Sequence, residues 1–233
     1  MLAFVDRDND GVPPLINTSL EHLAQHCPSL LNQPDGAGFY PLHYAIRRMC
    51  DYPYQYGPQA LFHFETAIYD LLNANADPLV RDGRGNIVLH YLVAGKLGEE
   101  DRGGDEQRHL LQVFLKRGLD PKARNTAGVT ALEISFLTND EPEFEGEDHE
   151  YDHSYAIGQE VVDAFEQGGY ILSETNAANQ KLLHLVAKID SDRAPPWFNL
   201  KHKGLDPEAK DKSGETPLDI AKYNYWIKKV IGD

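Results

Sequence analysis

Cysteine is scarce in this chain. Only Cys27 and Cys50 occur among 233 residues, which excludes a disulfide scaffold and a structural zinc site built from thiolates. Basic residues are outnumbered, with 22 Lys and Arg against 37 Asp and Glu and a formal net charge of −15. Phosphate contacts need clustered cations, so nucleic acid and anionic membrane surfaces are poor partners. No apolar run approaches the ~18 residues that span a bilayer. The start, Met1 to Asp8, lacks the apolar stretch of a signal peptide. Few cysteines and no leader lead us to expect an intracellular protein, cytoplasmic or nuclear.

Catalytic signatures are also missing. There is no phosphate-binding G-x-x-x-x-G-K-[ST], no G-x-S-x-G and no dinucleotide fingerprint. Gly103 and Gly104 sit in an acidic loop, Gly98 to Asp105, that repels phosphate. Nothing assembles a nucleophile, a base and oxyanion donors. A non-enzymatic protein without cofactors or metals is expected. What remains is an ordinary globular balance, 41% apolar and 25% charged, enough for a real core.

One phrase recurs along the chain. It reads Gly38-Phe39-Tyr40-Pro41-Leu42-His43-Tyr44-Ala45, then Gly85-Asn86-Ile87-Val88-Leu89-His90-Tyr91-Leu92. It returns as Gly128-Val129-Thr130-Ala131-Leu132-Glu133, as Asn179-Gln180-Lys181-Leu182-Leu183-His184, and as Gly214-Glu215-Thr216-Pro217-Leu218-Asp219-Ile220-Ala221. A second phrase alternates with it: Asn75-Ala76-Asp77-Pro78, Gly118-Leu119-Asp120-Pro121 and Gly204-Leu205-Asp206-Pro207, with Gly168-Gly169-Tyr170-Ile171 in the same place. A small polar residue followed by Pro starts a helix well, and Thr216-Pro217 supplies both. Tyr40-Pro41 has only the proline, and Ile87-Val88 and Lys181-Leu182 have neither, so those helices should start less firmly. Asn75, Gly118 and Gly204 suit a left-handed residue that ends a helix, and Asp-Pro blocks its continuation.

Together these residues resemble the ankyrin repeat, whose signature is T-P-L-H-x-A at a period of about 33. The resemblance implies an all-α solenoid of about five repeats with short β-hairpin loops. It also implies that the motif histidines His43, His90 and His184 bond to neighbouring backbone rather than catalyse. Glu133 and Asp219 replace them in two copies.

The spacing adds detail. Twelve residues separate Asp77 from Leu89, Asp120 from Leu132, Ile171 from Leu183 and Asp206 from Leu218. The other half of the period varies, so length changes fall between the two helices of a repeat. We divide the single repeat domain 1–233 into a degenerate first cap 1–34, repeats 35–81, 82–124, 125–175 and 176–210, and a last cap 211–233. Ser19 to Leu31 reads as a helix burying Leu20, Leu23, Cys27, Leu30 and Leu31. Pro217 to Ile231 reads as two short helices, with Tyr223, Trp226, Ile227 and Val230 closing the array.

Other chemistry is weaker. Asp6 to Gly11 matches half of a calcium loop, but Asn17 stands where a bidentate Glu is needed. The acidic run Asp140 to Asp152, flanked by His153, reads as a solvated loop. A docking strip for basic proteins or tails such as histones, over 139–153, is the alternative. His22 and His26 lie four apart, a spacing that can bind a metal. No H-E-x-x-H follows, so they read as surface histidines. Tyr52, Tyr54 and Tyr56 in a proline-rich insertion suit either a binding patch or a seal over helix ends.

The resemblance implies an adaptor that binds a protein partner of unknown identity on a concave face of loop tips and first helices. The register places Phe39, Arg47, Arg48, Arg84, Asn86, Val129, Gln180, Lys212 and Glu215 there, with Tyr52, Tyr54 and Tyr56 as a second patch. A targeting or regulatory segment of a larger enzyme or receptor is a further alternative. A monomer is the default, since repeat arrays with polar ends need no oligomer.

Overall fold

The computed structural model describes residues 22–23, 25–51, 58–94, 103–137, 159–176, 180–188 and 205–221. They are helical, and among them the only β pairing is an isolated bridge between Arg124 and Thr130. The chain divides into two compact units, Met1–Leu119 and Asp120–Asp233.

The first unit holds α1 (Pro41–Asp51), α2 (Pro58–Asn73), α3 (Val88–Ala94) and α4 (Gly103–Lys116). In α1 the buried apolar residues are Leu42, Ala45, Ile46, Met49 and Cys50. In α2 they are Phe64, Ala67, Ile68, Leu71 and Leu72. Both sets follow the i, i+3, i+4, i+7, i+8 stripe of a one-faced helix. α1 packs on α2 and α3, and α3 on α4. Removing one such leucine, as in Leu42→Ala, costs about 2–5 kcal/mol.

The second unit holds α5 (Ala131–Leu137), α6 (Gln159–Gln167), α7 (Leu182–Val186) and α8 (Pro217–Ile220). α5 packs on α7, and α7 on α8. Ala187 and Ala221 meet under Ile220 beside them.

Three helix ends are built alike. After α2, the Ala76 N–H donates to the Leu71 carbonyl and the Asn75 N–H to that of Leu72. After α4, Leu119 and Gly118 donate to Phe114 and Leu115, and after α6, Tyr170 and Gly169 donate to Phe165 and Glu166. Asn75, Gly118 and Gly169 each hold the positive φ this closure requires. Asp77 and Asp120, after two of these ends, and Asp206 accept, through Oδ1, the N–H of Leu79, Lys122 and Glu208. Their carboxylates fold the chain into the next turn.

The expected helix over Ser19 to Leu31 is shorter in the described residues. Residues 22, 23, 25 and 26 are helical, then a 3-10 turn runs over Pro28–Leu30. Pro28 has no N–H and keeps Cys27 out of the helical region, at φ −132° and ψ 51°. The chain rotates there, so Leu31 is buried while Leu30 is left 45% exposed. The calcium-like stretch at Asp6, the acidic run from Asp140, Trp226 and the residues after Ala221 lie outside the described residues.

Candidate functional site

Five turns recur, two in the first unit and three in the second, and each is built by the same hydrogen bonds. Asp35, Asp82, Asn125, Asn176 and Asp211 each donate their N–H to the carbonyl four residues on, at Phe39, Asn86, Val129, Gln180 and Glu215. Their Oδ1 atoms accept the N–H of those same residues in return. Gly38, Gly85, Gly128 and Gly214 close four of the turns at positive φ.

The residue after each turn starts a helix, and its N–H needs an acceptor. The motif residue three positions on supplies it. Tyr40 donates to His43 Nδ1, Ile87 to His90 Nδ1 and Lys181 to His184 Nδ1, at 3.1 to 3.3 Å. Thr130 donates to Glu133 Oε2 and Thr216 to Asp219 Oδ2. The two threonines also accept from the Glu133 and Asp219 N–H groups, completing reciprocal caps. The weak starts at Tyr40, Ile87 and Lys181 thus take their closing bond from histidine.

A histidine that accepts at Nδ1 carries its neutral-state proton on Nε2. His184 Nε2 donates that proton to the Glu215 carbonyl at 3.2 Å. His43 Nε2 is buried without such a partner, although the Val80 carbonyl acts on the ring. Burial holds the His43 imidazole below its ordinary value, and the Asp82 charge only partly offsets this.

In the first unit an aromatic cluster surrounds one cation. The Arg47 guanidinium lies 5.1 Å from the Phe39 ring centre and 5.9 Å from that of Tyr91. Tyr44 stands 5.5 Å from Phe39 and is 41% exposed. Tyr44 and Tyr91 occupy the same register, two residues after Leu42 and Leu89. Each donates its hydroxyl to the Asp nine residues earlier, Asp35 and Asp82. Burial pushes the Asp82 carboxyl up, but the Tyr91 hydroxyl and the Asn86 and Arg84 amides outweigh it and leave it below its ordinary value. Burial and the Asp82 contact push the Tyr91 phenol up to about 12. The Tyr91 proton therefore stays on its oxygen at neutral pH.

The positions expected from the register are placed unevenly. Phe39 and Arg47 come together, and Arg48 and Arg84 are exposed. Asn86 is only 8% exposed, and its amide donates to Asp82 Oδ2 and to the Tyr91 hydroxyl. It braces its turn. In the second unit Val129 is half-buried, while Lys212 and Glu215 are exposed. Gln180 donates to Asp211 Oδ2 and accepts from Asn176. Tyr52, Tyr54 and Tyr56 lie outside the described residues. Tyr44 and Tyr91 were missed by register reasoning, although the repeated Leu-His-Tyr triplet was their signal.

Among the described residues, no group of three or more His, Cys, Asp or Glu is placed to hold a metal ion. No helix among them is long and apolar enough to cross a membrane. Compared with known proteins, the sequence matches no family model, and no curated protein matches it.

Proposed function

We propose that this chain is an ankyrin-like repeat solenoid that works as a non-enzymatic adaptor, binding a protein partner along its turns and first helices. Support for the repeat reading comes from the five turns, which share their hydrogen bonds residue for residue. The observation that carries the binding reading is Arg47 laid over Phe39 and Tyr91 beside the exposed Tyr44. Arginine, tyrosine and phenylalanine are enriched in protein interfaces, and arginine and tyrosine recur at their hot spots. Stacking removes rotamer freedom from Arg47 before any partner arrives, which lowers the entropic cost of association. Arg48 extends the patch along the same helix, one turn from Tyr44.

The test is affinity capture from cells of the source, comparing the intact chain with the triple variant Arg47→Ala, Arg48→Ala, Arg84→Ala at low and high salt. A partner that binds the intact chain and is lost with the triple variant supports this surface. A basic partner lost with deletion of 139–153, but not with the triple variant, moves the function to the acidic strip. Binding untouched by either change rejects both.

A further inference from the structure

We propose that His22 and His26 form a two-imidazole clamp for a divalent transition-metal ion of the copper or nickel type. The helical segment around them ends where Cys27 donates its N–H to the Leu23 carbonyl at 3.0 Å. Four residues apart on one helix, the two rings stand on one face. Both residues are exposed, and their ring centres are 4.5 Å apart with planes tilted by 42°.

That separation suits chelation. A metal–nitrogen bond of roughly 2.0–2.1 Å puts each ring centre ~3.2 Å from the ion. Two imidazoles at right angles around a tetragonal ion then have centres about 4.5 Å apart, whereas a tetrahedral angle opens them to about 5.2 Å. The observed 4.5 Å is close enough for both rings to reach one ion, and Cu(II) and Ni(II) take imidazole nitrogen ligands well. Two protein ligands leave the other positions to water. Being exposed, the rings can turn toward an ion without opening the core.

Nickel is the better probe, because it does not oxidise the neighbouring Cys27 as copper can. The chain has 10 histidines in all, so the site is read by difference. Ni(II) is titrated calorimetrically into the intact chain and into His22→Ala and His26→Ala, with circular dichroism showing that each is folded. The intact chain should bind one ion more than either variant, or bind it at least tenfold more tightly. Equal number and affinity in all three proteins, or no binding to the intact chain, overturns the clamp. Neither result touches the partner surface at Arg47.

Discussion

Gly38 lies against Gly83 so closely that a Cβ at position 38 would stand 2.8 Å from the Gly83 nitrogen and 3.1 Å from its Cα. Both are backbone atoms, so no side chain can swing aside. Gly38 also sits at φ +85°, while Gly214, at φ +82°, has open space where its Cβ would be. Gly214→Ala should therefore cost only the left-handed strain of about 1–2 kcal/mol. Gly38→Ala should add about 1–3 kcal/mol for forcing two backbones apart. Urea denaturation of the two variants measures this, and equal losses would show that the close approach is not a constraint.

The imidazole of His43 makes stability depend on acid. Burial lowers its value below the ordinary 6.5. As pH falls below 6.5, the unfolded chain takes up a proton that the folded chain refuses. Stability is thus fully present above 6.5 and is lost as pH falls toward the lowered folded value. Asp82 resists this shift and His90 adds to it. Urea midpoints between about pH 7.5 and about pH 5 should fall more steeply for the intact chain than for His43→Gln, which keeps an acceptor near the Tyr40 N–H but cannot ionise. Parallel slopes would remove His43 from the acid response.

Glu133 holds the place that histidine holds in three other copies. Its side chain is 5% exposed and pairs with Arg124 at 3.0 Å, while Arg124 is 34% exposed. Glu133→Ala leaves the Thr130 N–H without its acceptor and removes one of the acceptors of Arg124, which keeps the Gly128 carbonyl, a loss of about 1–3 kcal/mol. Glu133→His retains an acceptor for the Thr130 N–H. Its cost should be about half as large. Thermal unfolding of the pair decides, and a histidine variant as unstable as the alanine one would deny that the motif residue acts mainly through Thr130.

The two tyrosine–aspartate contacts differ in burial. The Tyr91–Asp82 contact is partly buried, whereas the Tyr44–Asp35 contact is exposed. Tyr91→Phe should destabilise by about 1–2 kcal/mol and Tyr44→Phe by less than about 1 kcal/mol, since water replaces the exposed bond more easily. Denaturant midpoints measure both, and a reversed order would contradict the assigned roles.

Local chemistry was legible in the chain itself. Turn glycines, capping threonines, Asp-Pro stops and the constant twelve-residue interval all act within a few residues, so their types and spacing foretell the turns. At Tyr40, Ile87 and Lys181 residue type shows only the missing cap, because the histidine that accepts each N–H is three residues away and is not a usual cap. Leu30 and Leu31 show another limit. The apolar pattern continues through Pro28, but the missing N–H rotates the chain and exposes one of the two.

By itself, then, the sequence determined where the recurring turns lie and which residues bend the chain in them, because those effects depend on backbone geometry and nearest neighbours. Only the tertiary structure decided what each polar side chain does. Arg47 settles over Phe39 and Tyr91 because the packing of α1 on α3 brings the Tyr91 ring beside that of Phe39. Such contacts depend on how distant segments pack, which composition and spacing do not encode one residue at a time.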